Sequence, residues 1–344
     1  MSRNLNSITP KFTKHSKEAY FKFDKEDLRW ATPEIVADYR ALRLKCKTIV
    51  DLGCGVGFQT FSFAKVCEKV YAVEIDERKI AYARENAVAL GLHNIEFIFG
   101  DMLDPAVVSK LGRADVVFCD PERLASEEER TVKSIIPDVD TILNVYGRLT
   151  SSIALEFPPQ IKKIPFDCEQ EYISVDNSLN RLTLYFGDLK KVERSAVLLP
   201  SAQRLEMADG ILKYSKKLGM YFYEVDPAIV KAGLLGELRQ KTGAVCFEQG
   251  KAVYFTSDKL VLSPFFKNSF SVVSTFNFNL VEVTKILKEH RFGKVMIRYT
   301  IDPQHYWKER SVLERGLKGE KKAHLFRFGK LGVVAEKVCQ IFSI

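Results

Sequence analysis

The sequence lacks any long apolar run. No segment of its 344 residues approaches the roughly 20 apolar residues that span a bilayer, and the first residues lack the apolar stretch of a secretory signal. Low-complexity and Gly/Pro-rich tracts are missing too, which excludes a disordered or fibrous protein. We therefore expect a cytoplasmic globular protein, long enough for two domains of about 150 residues each.

Paired cysteines are also missing. The seven cysteines are scattered and odd in number, and none forms a C-x-x-C motif. This spacing argues against a disulfide framework and against a zinc site. Since H-E-x-x-H and G-x-S-x-G are absent as well, hydrolase and metalloenzyme functions have no motif to support them, and we expect no metal.

Most of the chain has no excess of positive charge. The excess lies near the end of the sequence. Residues 31–284 carry 31 Lys and Arg against 34 Asp and Glu, whereas residues 285–337 carry 14 against six. Rings such as Phe292, Trp307 and Phe326 are interspersed with these cations. Because cations neutralise phosphates and rings stack on unpaired bases, the pattern fits a nucleic-acid surface, although a solvated lysine-rich face over ordinary core aromatics fits it equally. The candidate contacts are Lys308, Arg310, Lys321, Lys322 and Arg327.

Strands and helices alternate over the first part of the chain, which indicates a mostly parallel sheet. After Gly147 the pattern changes, and the turn at residues 176–180 predicts an antiparallel hairpin. The predicted strands are 48–52, 69–75, 95–99, 114–119, 148–157, 171–176 and 181–186, with helices at 59–68 and 77–90.

The first predicted strand runs into three alternate glycines, Gly53, Gly55 and Gly57. Glycines at the carboxyl end of a strand let the backbone approach a ligand closely. A dinucleotide fingerprint needs a glycine three residues after Gly55, where this chain has phenylalanine, and no P-loop motif occurs. An adenosine ligand without pyrophosphate remains. Glu74 and Asp101 follow the next two strands, where carboxylates can accept from ribose hydroxyls; the alternative is a pair of exposed strand-end acids.

Four motifs in this order resemble the class I S-adenosylmethionine-dependent methyltransferases: V-D-L-G-C-G-V-G (50–57), V-E-I-D (73–76), F-G-D-M (99–102) and C-D-P-E-R (119–123). The resemblance implies S-adenosylmethionine as cofactor, with Asp51 near its methionine moiety, Glu74 at the ribose, and Asp101 and Met102 at the adenine. The full set of implied cofactor-binding residues is Thr32, Asp51, Gly53, Gly55, Gly57, Glu74, Ile75, Asp101, Met102 and Asp120.

The predicted fold is therefore α/β, a Rossmann-like seven-stranded methyltransferase sheet followed by an α+β domain. We expect a helical extension over residues 1–45, the methyltransferase domain over 46–200 and a basic RNA-binding domain over 201–344. The last of these should contain helices 227–240 and 280–290 and strands 220–225, 252–256, 270–276, 294–300 and 324–328.

Asp120 and Pro121, at the end of the fourth strand, are the candidate catalytic residues. A carboxylate and a backbone carbonyl can hold the two N–H groups of an exocyclic amine; the alternative is that the pair merely ends a strand. The D-P-x-R pattern also occurs in RNA uridine C5 methylases, which need a cysteine nucleophile. Residues 149–156 contain no cysteine, and we expect Cys119 to be a packed thiol, so nitrogen is favoured over carbon.

Two further resemblances concern the substrate. Residues 32–34 and 75–84 are similar to trimethylguanosine synthase, but Glu122 and Arg123 replace the second proline and the tryptophan of its S-P-P-W motif, which argues against cap guanosine. Residues 29–41 and 223–233 resemble methyltransferases that carry a C-terminal THUMP-like domain, which implies structured rRNA or tRNA as partner. A protein or small-molecule methyltransferase and a non-catalytic RNA-binding assembly factor remain as alternatives.

Overall fold

The computed structural model describes residues 14–16, 18–123, 131–250 and 252–339. The chain forms two compact units, one of Met1–Val175 with Leu179–Arg194 and one of Asp176–Ser178 with Ser195–Ile344. In the described part of the chain, no helix is long and apolar enough to cross a membrane. The division into domains at residues 45 and 200 stays a prediction.

A sheet of seven strands organises the first unit. The strand order is β8-β9-β7-β4-β1-β2-β3. The elements along the chain up to residue 206 are α1 Lys25–Trp30, α2 Glu34–Arg43, β1 Thr48–Leu52, α3 Phe58–Ala64, β2 Lys69–Glu74, α4 Glu77–Ala89, β3 Ile95–Phe99, α5 Pro105–Val108, β4 Val116–Cys119, β5 Glu122–Arg123, β6 Ile135–Ile136, α6 Val139–Tyr146, β7 Ile153–Phe157, β8 Glu169–Val175, β9 Ser178–Tyr185, β10 Arg194–Leu199 and β11 Gln203–Glu206.

The seven predicted strands all form, and the predicted fold class is confirmed. Strands β1, β2, β3, β4 and β7 pair in parallel, and β9 returns antiparallel to β7. The turn between β8 and β9 has positive φ at Asp176 and Asn177, the type I′ geometry that suits a two-residue hairpin. Strands β10 and β11, which pair antiparallel with each other, are not among the predicted strands.

Helix α4 shows how the sequence sets the elements around the sheet. The Asp76 side chain accepts from the N–H groups of Arg78 at 2.9 Å and Lys79 at 3.1 Å, which caps the helix. Ile80, Ala83 and Ala87 are buried at helical spacing, so one face of α4 packs on the core.

Helix α2 brings two arginines into the core. Arg40 is fully buried, donates to Gln59 Oε1 at 2.7 Å and pairs with Glu156, which also pairs with Arg181. Arg43 pairs with two buried carboxylates of β8, Glu169 and Glu171, both at 2.8 Å. Because buried charges are tolerated only when they are paired, α2 and the sheet depend on each other.

A seven-stranded sheet organises the second unit, in the order β13-β14-β12-β15-β18-β17-β16. Helices α9 and α10 pack over the strands at its end, around buried Val283, Leu287, Leu313 and Leu325. The elements are β12 Tyr221–Val225, α7 Pro227–Ala232, α8 Leu235–Thr242, β13 Val245–Gln249, β14 Val253–Ser257, β15 Phe266–Asn277, α9 Leu280–Glu289, β16 Phe292–Ile297, α10 Pro303–Glu314, β17 Lys321–Phe328 and β18 Leu331–Val338.

The predicted helix over residues 227–240 is wrong in one respect, because it is two helices. Gly233 has φ of 74° and caps α7, and α8 begins two residues later. A left-handed residue cannot continue an α-helix, and glycine adopts that conformation at little cost.

Candidate functional site

The carboxyl ends of β1, β2, β3 and β4 open into a pocket of about 1020 Å³. The residues predicted to bind the cofactor or to act in catalysis line this pocket, with the exception of Gly57. The structure thus brings together, at one edge of one sheet, residues that are separated by as many as 89 positions between Thr32 and Pro121. This is the edge where open α/β sheets bind their ligands.

The glycine loop follows β1 and packs closely on its neighbours. Gly57 has φ of 100° and begins α3, and a Cβ there would lie 2.2 Å from the ring of Phe61. A Cβ on Gly53 would lie 3.3 Å from the main-chain oxygen of Asp120. Gly57 therefore shapes the loop without lining the pocket, and the loop lies directly beside the candidate acceptor residues.

Glu74, at the end of β2, is buried and holds this loop. One carboxylate oxygen accepts from Gly55 N at 2.7 Å, and the other accepts from the N–H groups of Ile75 and Asp76 at 3.0 Å. A carboxylate has about four acceptor positions, so one remains for a ligand hydroxyl. Glu74 can therefore bind a ribose and position the glycine loop at the same time.

Asp51 is a buried carboxylate on the floor of the pocket. Its Oδ2 accepts from the Thr60 hydroxyl at 2.5 Å. Burial raises the pKa of Asp51 to about 7, an effect that Thr60 and the Arg40 guanidinium oppose and that Glu74 reinforces. Because a bound cation would favour the ionised form, Asp51 can sense a positively charged ligand.

A more exposed, partly apolar region follows β2 and β3. The Ile75 side chain is 62% exposed, which leaves an apolar surface for a flat ring. Asp101 accepts from Leu103 N at 2.8 Å, and the Met102 carbonyl accepts from the Tyr146 hydroxyl at 2.6 Å. These bonds fix the turn that carries both predicted adenine contacts.

Asp120 and Pro121 follow β4, where Asp120 N donates to Leu52 O at 3.4 Å. The neighbouring thiols of Cys54 and Cys119 are buried, and burial raises the pKa of each well above its usual range. Neither is a thiolate near neutral pH, which agrees with the expectation of a packed thiol at Cys119. β7, the next strand of the sheet, has no cysteine.

The sequence analysis missed a wall of the pocket formed by the segment before α2. Glu26, Asp27, Trp30 and Ala31 of this segment line the pocket. Asp27 is held by two bonds from Arg78, at 2.7 and 3.0 Å. The sequence carries only a weak signal for this wall. The segment R-W-A-T-P-E (29–34) is part of a resemblance that gives its tryptophan no role.

Asn86 of α4 is a second residue that the sequence analysis missed. Its buried amide accepts from Lys22 N at 2.7 Å and donates to Lys22 O at 3.0 Å and Val56 O at 3.2 Å. One side chain thus joins the segment before α2 to the glycine loop.

The five candidate RNA contacts differ in their surroundings within the second unit. Lys308 on α10 and Lys322 on β17 are exposed. Arg310 instead pairs with Glu314 at 2.9 Å, and Lys321 pairs with Glu336 at 3.1 Å. Arg327 donates to Gly329 O at 3.1 Å.

The rings interspersed with these cations also divide into two kinds. Phe292 and Phe326 are buried, and Phe326 packs edge-on against Phe222 at 4.9 Å between ring centroids. Trp307 on α10 is 67% exposed. Only the last of these three is therefore available to stack on a base, and the other two belong to the core.

Known proteins that resemble this chain include methyltransferases. Residues 44–163 match the model of a family described as "Methyltransferase domain". The chain is 24% identical over 291 residues to an uncharacterized S-adenosylmethionine-dependent methyltransferase of Mycobacterium tuberculosis, covering 82% of this chain and 78% of that one. It is 37% identical over 81 residues to a 23S rRNA (uracil(1939)-C(5))-methyltransferase of Shewanella, covering 23% of this chain and 18% of that protein.

Among solved structures, a putative methyltransferase from Porphyromonas gingivalis matches with a TM-score of 0.75 at 16% identity, covering 93% of this chain and 84% of that chain. At this identity the likeness establishes the fold.

Proposed function

We propose that this chain, whose first unit carries a class I S-adenosylmethionine-dependent methyltransferase domain, methylates a base nitrogen, an exocyclic amine, in structured rRNA or tRNA. The observation that supports this most directly is the shared pocket: Asp120 and Pro121 line it together with the glycine loop and Glu74. The close approach of Gly53 to Asp120 O keeps donor and acceptor positions adjacent.

The residues present fit S-adenosylmethionine. Glu74 retains an acceptor position beside the glycine loop, Ile75 and Met102 offer apolar surface, and Asp51 supplies a buried carboxylate for a cation. When bound, the cofactor supplies an electrophilic methyl group on a sulfonium. The chain's own task is then to place an acceptor lone pair in line with that group and to accept a proton.

Asp120 and the Pro121 carbonyl suit this task. Two acceptors can hold the two N–H groups of an exocyclic amine, which directs the nitrogen lone pair toward the donor side of the pocket. As the N–C bond forms and the S–C bond breaks, the nitrogen becomes positively charged and loses a proton, which the Asp120 carboxylate can accept.

The state of the cysteines supports nitrogen rather than carbon as the acceptor. Cys54 and Cys119 are buried, with the pKa of both raised by burial, so no thiolate is ready to activate a ring carbon among the described pocket residues. The Shewanella relative is named as a C5 methyltransferase, but its match covers less than a quarter of this chain.

The second unit is proposed to bind the RNA. Residues 285–337 carry a net charge of +8, and Lys308, Lys322 and Trp307 are exposed within that segment. The resemblance to methyltransferases with a THUMP-like domain, and partial relatives named as RNA methyltransferases, support the same partner.

Methylation of RNA from cells that lack the protein tests the proposal. Purified chain and S-adenosylmethionine with a labelled methyl group are added to this RNA, which is then digested for nucleoside mass spectrometry. We expect label on an exocyclic nitrogen of one nucleoside in rRNA or tRNA, and little label with the Asp120→Ala variant. Label on a ring carbon, or only in protein or small molecules, contradicts the proposal. RNA binding without label indicates the non-catalytic alternative.

A further inference from the structure

Trp30 presents an exposed ring to the pocket. It ends α1, lines the same pocket as Asp120 and Pro121, and is 57% exposed. The other described aromatic residues of the lining, Phe58 and Phe118, are only 4% and 1% exposed. Trp30 is therefore the most exposed of the described aromatic residues that line the pocket, and the Arg29 guanidinium lies 5.1 Å from the centroid of its ring.

The backbone around Trp30 is fixed by contacts that need no ligand. Lys14 Nζ donates to the carbonyls of Arg29 at 2.8 Å and Ala31 at 2.7 Å, on either side of the tryptophan. Asp27, one turn earlier, is held by two bonds from Arg78. A platform that is already ordered loses little conformational entropy when a ligand stacks on it.

The pocket volume of about 1020 Å³ lies just above the range of roughly 300–1,000 Å³ that is usual for one drug-sized ligand. Its donor side is formed by the glycine loop, Glu74 and Asp101. Trp30 lines the same pocket, as do Ile136, which is 50% exposed, Pro137 and Lys133.

The described lining residues that follow the Asp120-Pro121 pair include no ring. They are Lys133, Ile135, Ile136, Pro137, Asp138 and Thr141. A flat acceptor that needs stacking beside Asp120 must therefore obtain it from another element. Of the described elements that line the pocket, α1 is the one that provides an exposed ring.

We propose that Trp30 stacks on the base that is methylated and thereby holds its exocyclic amine against Asp120. The ligand is a purine or pyrimidine ring of RNA, turned out of its own stack. This inference rests on the proposed function and adds to it the surface that recognises the acceptor. An aromatic platform accepts any base with a flat face, so the amine contacts would select the base.

The test compares Trp30→Ala, Trp30→Phe and Tyr20→Ala in methyl transfer to the RNA described above. Base stacking contributes about tenfold to a hundredfold in affinity, so Trp30→Ala should raise KM for RNA by that factor, while the Kd for S-adenosylmethionine changes less than twofold. Trp30→Phe should recover most of the loss. Tyr20, 79% exposed on the same segment but outside the pocket lining, is the matched control and should behave as wild type.

The chain's two tryptophans allow a direct readout. In the Trp307→Phe variant Trp30 is the sole indole, and stacking of AMP, GMP or CMP in the presence of S-adenosylhomocysteine should quench its fluorescence. In Trp30→Phe, any quenching comes from Trp307 of the second unit and should not depend on S-adenosylhomocysteine.

The outcomes separate this inference from the proposed function. If wild type methylates RNA and Trp30→Ala does so equally well, the stacking role is wrong and the function stands. If wild type transfers no methyl group to RNA but the nucleotides quench Trp30, the proposed function fails and the stacking site remains. A parallel loss of S-adenosylmethionine affinity in Trp30→Ala would assign the ring to the donor instead and overturn the inference.

Discussion

Asp51 gives the site a pH dependence at the scale of one residue. Its pKa is raised to about 7, so in the free protein it is largely protonated below pH 7. A cationic ligand group favours the carboxylate, hence binding releases a proton, and affinity for S-adenosylmethionine should rise with pH up to about 7 and level off above it.

Calorimetry between pH 5.5 and 7.5 measures this effect. Below pH 7, the affinity of wild type for S-adenosylmethionine should fall by up to about tenfold for each unit by which the pH is lowered. This is the limit when binding releases one proton. The Asp51→Asn variant should bind more weakly, with a flatter pH profile. An unchanged profile in that variant would show that another group titrates.

Asp120 should affect the reaction and not donor binding. If its carboxylate orients the amine and takes the proton, Asp120→Ala should lower kcat by about a hundredfold or more while the Kd for S-adenosylmethionine stays within twofold. Single-turnover transfer and calorimetry measure the two quantities. Equal losses in both would point to a structural role at the end of β4.

At the scale of elements, Asn86 joins α4 to the segment that carries Trp30. Asn86→Ala leaves the main-chain groups of Lys22 and Val56 without this partner, so we expect a loss of about 1–3 kcal/mol in the free energy of unfolding and a higher KM for RNA. Denaturant unfolding and initial rates measure these effects.

Glu85 on the same helix provides the control. It pairs with the same Lys22, but both side chains are more than half exposed. Exposed pairs contribute little, so Glu85→Ala should cost less than about 1 kcal/mol. Equal effects of the two substitutions would contradict a specific role for the buried amide.

Sequence patterns predicted elements well where burial is periodic. Strands β1 to β4 are short apolar runs between helices with clear signals, and all were found. Helix α10 was missed because Leu313 is its only buried residue, so its apolar pattern is weak. Strands β10 and β11 were missed because they lie beside the predicted domain boundary at residue 200, where nothing local marks them.

The candidate site, too, could be predicted only where its residues form a local sequence pattern. Its glycines and acids follow strand ends and could be recognised in the sequence, and the predicted cofactor, S-adenosylmethionine, is confirmed, while the individual residue roles stay predictions. The wall containing Trp30 could not be predicted, because its place depends on the contact between Asp27 and Arg78, which are 51 positions apart. Such a contact leaves no periodic pattern.

At the scale of the whole molecule, RNA affinity should depend on salt and on particular cations. Each neutralised phosphate contributes a slope of about −0.7 to −0.9 in log affinity against log salt. Lys308→Glu with Lys322→Glu should lower this slope by roughly one contact each, because these side chains are exposed.

The paired cations provide the comparison for this test. Arg310 and Lys321 already contact Glu314 and Glu336, so neutralising them should change the slope less. Filter binding from 50 to 300 mM salt measures both pairs of variants. If Arg310 and Lys321 matter as much as Lys308 and Lys322, the proposed RNA surface is wrong in detail; if neither pair matters, the second unit has another partner.

The arginines of α2 determine where the chain can be truncated. A fragment that starts at residue 46, the predicted domain start, would lack Arg40 and Arg43 but keep the buried Glu156, Glu169 and Glu171. Removing one partner of a buried ion pair costs about 3–5 kcal/mol, and this deletion removes two arginines at once. Such a fragment should therefore be recovered as aggregate, whereas a fragment that begins before α1 should be soluble and resist proteolysis.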